Sequence, residues 1–158
     1  MAGRSDQGRR PVLRGDYRAP AWWVDHIALD FNLASDRTIV RAELHVRRNA
    51  DASARGPLRL DGVDLRTRRL AVDGREVSDR QKTLDGDSLV LGGLSDRAIV
   101  STEVEIKPDQ NTALEGLYAA GSSLLTQCEA QGFRKITWFP DRPDVMATYR
   151  VRLEADQE

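Results

Sequence analysis

Hydrophobicity in this chain repeats every second residue, in one run after another. Ile27, Leu29, Phe31 and Leu33 share one side of a segment whose other side carries His26, Asp30 and Asn32. After the polar stretch Ala34-Ser35-Asp36-Arg37, Val40, Ala42, Leu44 and Val46 alternate with Arg41, Glu43, His45 and Arg47. Side chains of an extended chain point to opposite faces in turn, so this period describes strands with one buried and one wet face. The two runs predict a hairpin around residues 34–37. Further on, Ala98, Val100, Thr102, Val104 and Ile106 repeat the pattern until Pro108 closes it, and Ala147, Tyr149, Val151 and Leu153 repeat it again.

The turns are equally legible. Leu58 and Leu60 precede Asp61-Gly62, Leu70 and Val72 precede Asp73-Gly74, and Asp85-Gly86 precedes Leu89-Val90-Leu91. Asp-Gly between short apolar runs signals a hairpin, because glycine accepts positive φ at no steric cost. Leu124-Leu125-Thr126-Gln127 predicts a short strand, residues 129–137 a short helical turn, and Asp141-Arg142-Pro143-Asp144 a turn. These signals predict a mostly all-β domain over residues 21–158, with one short helical turn, behind an irregular lead-in over residues 1–20.

With 158 residues the chain is long enough for one domain with a real core. Lys and Arg total 24 against 25 Asp and Glu, a balance that gives no footprint for nucleic acid. Arg4, Arg9, Arg10, Arg14 and Arg18 gather in the lead-in, where the expectation is a solvated, poorly ordered terminus. A lone cysteine, Cys128, cannot form an intrachain disulfide. Residues 1–18 lack an apolar secretory core, and no run is long enough to span a bilayer, so the expected compartment is the cytoplasm, with no membrane partner.

The chemistry that is missing narrows the field. Neither His26 nor His45 is followed by Glu, so no H-E-x-x-H zinc motif exists, and no phosphate loop, dinucleotide fingerprint or nucleophile elbow occurs. Both histidines fall on the polar side of expected strands and read as surface or cross-strand residues. Cys128 has no histidine near it in sequence and reads as a buried or half-buried structural thiol rather than a nucleophile. Periodicity and composition alone end at a β domain of unassigned purpose.

Residues 111–149 go further. They contain Asn111-Thr112-Ala113-Leu114-Glu115-Gly116-Leu117-Tyr118, then Leu124-Leu125-Thr126-Gln127-Cys128-Glu129-Ala130-Gln131-Gly132-Phe133-Arg134-Lys135-Ile136-Thr137, then Asp141-Arg142-Pro143-Asp144-Val145-Met146-Ala147. This series resembles the bacterial aminopeptidase N family of zinc metallopeptidases. The lead-in Asp16-Tyr17-Arg18-Ala19-Pro20 and the strand to Leu33 are similar to the start of those enzymes. From about residue 50 to 106 the likeness is one of pattern more than of residues.

The resemblance implies a curved, saddle-like β-sandwich that packs on a thermolysin-like catalytic domain. It implies a full-length zinc aminopeptidase that removes single residues from peptide amino termini. The G-A-M-E-N and zinc motifs of that catalytic domain are absent here. The expectation is therefore a domain-length piece that binds no zinc and has no catalytic residue of its own, with peptides and its own catalytic domain as partners.

In the family a glutamate from this domain helps bind the α-ammonium of the substrate, and the motif Thr-Gln-Cys-Glu-Ala assigns that role to Glu129. The adjacent glutamine, here Gln127, helps shape the pocket for the first side chain. A carboxylate suits a cation because a charge-assisted hydrogen bond fixes both position and charge. With an extended backbone, Gln127 and Glu129 would face one side and Cys128 the other. Many relatives have Glu where this chain has Gln131, so a local charge is lost there. Asp141, Arg142 and Asp144 read as turn and ion-pair residues, with Pro140 and Pro143 fixing the turn. Two other readings stand beside this one. A stand-alone binding module of the same fold would lack any downstream catalytic motif, and an adhesion or carbohydrate-binding sandwich would cluster Trp22, Trp23 and Trp138 at the surface.

Overall fold

A computed structural model describes residues 13–51 and 55–155. Arg4, Arg9 and Arg10, on which the expectation for the basic lead-in falls, lie outside the described residues, and a 3-10 turn spans Arg14–Asp16 within the described part. Eleven strands follow: β1 (Trp22–Leu33), β2 (Thr38–Arg48), β3 (Leu58–Asp61), β4 (Arg66–Val72), β5 (Arg75–Glu76), β6 (Lys82–Asp85), β7 (Ser88–Leu91), β8 (Arg97–Ile106), β9 (Gly116–Ala120), β10 (Ser123–Gln127) and β11 (Thr148–Ala155). Single 3-10 turns at Pro108–Gln110 and Phe133–Lys135 supply the remaining helical structure among the described residues. The chain is the mostly-β domain its periodicity describes. Among the described residues no helix is long and apolar enough to cross a membrane.

The largest sheet has six strands in the order β11-β1-β2-β8-β4-β5. Its register explains the alternation. Ile27 stands opposite Leu44, Leu29 opposite Ala42 and Phe31 opposite Val40, and β8 continues these rows with Val100, Thr102 and Val104. All nine side chains point to one face and are buried. A three-stranded sheet, β3-β7-β6, contributes Leu58, Leu60, Leu89 and Leu91 to the same core. Burying each such leucine or isoleucine contributes about 1.5–3 kcal/mol.

The opposite face carries charge in register. Arg152 bonds Asp30 at 2.9 Å, Arg41 bonds Glu103 at 2.8 Å, and Arg69 bonds Glu76 at 2.7 Å. Because Asp30 faces Arg41 and Arg69 faces Glu103 across their strand pairs, one row of alternating sign crosses all six strands. Such exposed pairs stabilise little individually, but they mark this face as wet. His26 and His45 are cross-strand partners here, with ring centroids 5.6 Å apart.

Three turn expectations meet the structure differently. Asp73-Gly74 is a two-residue hairpin loop between Val72 and Arg75, both residues at positive φ (49° and 78°). Gly86-Asp87 closes the β6–β7 hairpin, between Asp85 and Ser88. Asp61-Gly62 is not a hairpin turn, which corrects the sequence expectation. β3 pairs with β7 rather than β4, and Gly62 is needed for a different reason. A Cβ there would sit 2.5 Å from the Trp138 ring. The strand β9 within residues 111–120 was not foreseen at all. It hides behind an irregular apolar pattern, and Gly121-Ser122 turns it into β10 instead of simply ending the run.

The tryptophans settle one alternative. Trp22 and Trp138 are buried, at 3% and 6% exposure, and Trp23 packs partly against the core. The Trp22 indole donates to the Gly56 carbonyl at 3.1 Å, and the Trp138 indole donates to Thr67 at 2.8 Å. The exposed aromatic cluster that a carbohydrate-binding sandwich would display is not formed by these residues.

Candidate functional site: the turn after β10

Strand β10 ends at Gln127, and the chain then folds back on itself. The Gly132 amide donates to the Cys128 carbonyl at 2.8 Å, closing a single tight turn that contains Glu129, and the Glu129–Ala130 peptide is cis. The extended backbone expected through Gln127 and Glu129 is therefore corrected. Instead of two side chains on one face of a strand, Gln127 sits at the strand end and Glu129 on the turn. They are linked by a bond of 3.4 Å from the Gln127 side-chain amide to the Glu129 backbone carbonyl. Both residues are exposed. The Glu129 carboxylate has no hydrogen-bond or ion-pair partner among the described residues.

Glycine makes this turn possible at two points. A Cβ on Gly132 would collide with the Gln127 carbonyl and meet Cys128 Cα at 3.0 Å, both backbone contacts that cannot swing away. Gly116, at φ 72°, leads β9 past the same spot. A Cβ on it would lie 2.6 Å from Lys135 Cβ and 3.1 Å from the Gly132 carbonyl. The two glycines let the β9–β10 hairpin and the 3-10 turn Phe133–Lys135 touch backbone to backbone. Asn111 fixes the entry to β9, its side-chain amide donating to the Glu115 and Leu117 carbonyls at 2.7 and 2.9 Å.

Downstream, the turn is tied to the core. Arg134 donates to the buried Asp141 carboxylate at 2.9 Å and to its carbonyl at 3.1 Å, while the Asp141 amide donates to Asp61 at 3.1 Å. Asp61 and Phe139 exchange backbone bonds of 2.8 and 3.2 Å. Lys135 reaches Asp64 at 2.7 Å. Asp141 is thus a structural carboxylate. Arg142 and Asp144, bonded at 2.7 Å, form a local ion pair that also holds the Tyr17 hydroxyl at 3.0 Å. Those roles match the turn and ion-pair reading. Sequence reasoning missed Gly116, Gly132 and Arg134, whose roles depend on contacts between segments. The only trace was the glycine at each end of the run.

Beside Glu129 lies a shallow basin of about 300 Å³, lined by Cys128, Phe133, Phe139, Val145 and Tyr149 among others. Phe133 meets Phe139 and Tyr149 edge-on, at 5.0 and 6.0 Å between centroids. Burial pushes the Cys128 thiol and the Tyr149 phenol up from their ordinary values, and the negative charge of Asp141 adds to both. A thiol held protonated is a poor nucleophile. Among the described residues no three histidine, cysteine or acidic side chains converge as a metal set. The described residues do not fit a zinc site.

The described residues thus form an eleven-stranded β domain with the exposed Glu129 carboxylate on a braced turn. No family model matches the chain. Aminopeptidase N of Caulobacter vibrioides is 45% identical over 145 residues, covering 92% of this chain. Aminopeptidase A of Legionella pneumophila, solved in complex with aspartic acid, superposes with a TM-score of 0.77 at 27% identity over 88% of the chain. An M1 zinc metallopeptidase of Deinococcus radiodurans, solved with a Tyr-Ser-Ala substrate, shares the fold with a TM-score of 0.67 at 17% identity over 85% of the chain. The class is thus a β domain of the aminopeptidase kind. Within it, this chain belongs with the amino-terminal domains of aminopeptidase N. It spans 17% of the length of the Caulobacter relative and 16% of the Legionella chain.

Proposed function

We propose that this chain is the part of a zinc aminopeptidase that grips the amino terminus of a peptide substrate, with Glu129 as the anchoring carboxylate. The observation that carries the reading is the Glu129 side chain itself. It is exposed and unpaired on a turn whose backbone is fixed by glycine contacts and by the Arg134–Asp141 clamp. A substrate ammonium needs such an acceptor, and a rigid turn supplies it without an ordering cost at each binding event. Gln127 holds the Glu129 backbone carbonyl at 3.4 Å and so acts on the anchor's position. It lies one residue from the apolar basin, where the first side chain of the substrate or a face of the catalytic domain would rest. Zinc and the reacting groups belong to the remainder of the polypeptide, and the compartment in this reading is the cytoplasm.

The test is Glu129→Gln in the full-length enzyme. Removing one charged hydrogen bond to the substrate costs about 1.5–3 kcal/mol, which lowers kcat/KM roughly 10- to 150-fold, with zinc content unchanged. Unaltered kcat/KM removes Glu129 from the site. The alternative, a stand-alone module of the same fold, predicts that the coding sequence downstream lacks any catalytic zinc motif.

A further inference from the structure

The large sheet and the three-stranded sheet part along one side. Between β4–β5 of the first and β6 of the second runs a groove of about 520 Å³. Leu70, Leu89 and Trp138 line its floor and are buried, at 7%, 3% and 6% exposure. Leu65, Val77 and Leu84 line its apolar sides. Leu84 is the register partner of the buried Leu89 and so stands on the core face of its sheet, yet it is 68% exposed. The groove shares no lining residue with the basin beside Glu129.

Two features of the rim make it more than an apolar gap. The first is charge. Arg68, Arg69 and Lys82 line it together with one carboxylate, Glu76, which Arg69 already holds at 2.7 Å. The β4–β8 register slips between Thr67 and Arg69, so Arg68 is the extra residue, a position at which a bulge re-aims a side chain. Its guanidinium lies 3.9 Å from Glu103 and 3.8 Å from Glu105, beyond hydrogen-bond distance. Lys82 meets Asp79 at 3.1 Å, a carboxylate that is 95% exposed, and such surface pairs hold a cation weakly. The second feature is backbone. β6 is the outer strand of its sheet. A two-residue loop joins Asp85 to Ser88, and the Gly92 amide donates to the Gln81 carbonyl. Both fix the phase of the ladder, so the N–H and C=O groups of Lys82 and Leu84 point away from β7. No proline or glycine interrupts residues 82–85.

We propose that this groove binds an extended peptide segment that carries an apolar and an acidic residue two positions apart. The segment adds as a strand to the outer edge of β6. Its apolar side chain lies beside Leu84 over the Trp138 floor, and its carboxylate lies beside Lys82, because Lys82 and Leu84 share one face of β6. Arg68 completes the cationic rim. Main-chain bonds to the edge supply affinity, and the groove selects the side chains. An acidic peptide fits better than a second copy, since symmetric pairing of two β6 edges would bring two cationic rims together.

The probe is the heptapeptide Thr-Glu-Thr-Leu-Thr-Glu-Thr, blocked at both ends and fluorescently labelled. Glutamate on each side of the leucine places a carboxylate beside Lys82 in either strand direction, and the blocked amino end removes any ammonium for Glu129. Fluorescence anisotropy with the full-length protein should show saturable binding. Replacing both glutamates by lysine should weaken it about 10-fold or more. Leu84→Glu should weaken it as much with Tm unchanged, because Leu84 is exposed in the free protein. Lys82→Glu should weaken the acidic peptide and strengthen the lysine version. No saturation up to about 1 mM, equal binding of the two peptides, or binding unaffected by Leu84→Glu each overturns the proposal. Binding to the 158-residue chain and not to the full-length protein also overturns it, by giving the groove to the rest of the polypeptide. A dimer of the full-length protein that Leu84→Glu dissolves, seen by light scattering, gives it to a second copy instead. None of these results touches the anchoring role of Glu129.

Discussion

Gly132 shows how a residue without a side chain can position one with a proposed function. Its amide closes the turn around Glu129, and its missing Cβ leaves room for the Gln127 carbonyl. Gly132→Ala should lose about 1–3 kcal/mol of stability through overpacking against backbone, measured by urea unfolding. A loss within experimental error would mean that the turn is not braced as described. Cys128 makes the converse case. Burial raises its thiol and Asp141 adds to the effect, so little thiolate is present near neutral pH. It should react with a thiol-directed disulfide reagent more slowly than free cysteine, and a rate as fast as free cysteine would contradict the half-buried setting. A motif singled out Glu129 in the sequence as the proposed anchor, whereas its unpaired state and its place on a turn were not legible there. Both depend on where β10 stops, and the polar run Thr126-Gln127-Cys128-Glu129 gives no periodic signal for that.

At the scale of elements, the alternating runs translated directly into β1, β2, β8 and β11, because a period of two has no helical interpretation. Partners were less legible than strands. Leu58 and Leu60 fit a strand equally well beside β4 or β7, and the choice of β7 follows from the layer that must cover the large sheet. The lead-in is attached by side-chain bonds from Tyr17 to Asp144, from Arg142 to the Arg18 carbonyl and from Asn49 to the Pro20 carbonyl. Tyr17 donates to Asp144, whose carboxyl is held below the ordinary aspartate value first by its bond to Arg142, and then by Tyr17, against an opposing contribution from burial. A lowered folded-state value means that this contribution to stability is present above the aspartate range and disappears as pH falls through the lowered value. The pair is partly exposed, so its worth is a few tenths to about 1 kcal/mol. Acid unfolding of Asp144→Asn should be shallower by that amount below about pH 4. Identical acid profiles for the two proteins would contradict the link.

For the whole molecule, a wet charged face lies opposite an apolar face whose edge strand leaves Tyr149, Val151 and Leu153 exposed. The short chain should fold and yet hydrolyse no alanyl chromogenic substrate, and chelator-sensitive turnover by the pure chain would refute its role as an accessory domain. The central claim is that Glu129 reads the α-ammonium. The most direct measurement is the affinity of the full-length enzyme for a dipeptide-like inhibitor relative to its desamino counterpart, in wild type and in Glu129→Gln. Wild type should favour the amine strongly, and the substitution should shrink that preference by roughly 10- to 150-fold. A preference left unchanged by Glu129→Gln would contradict the account.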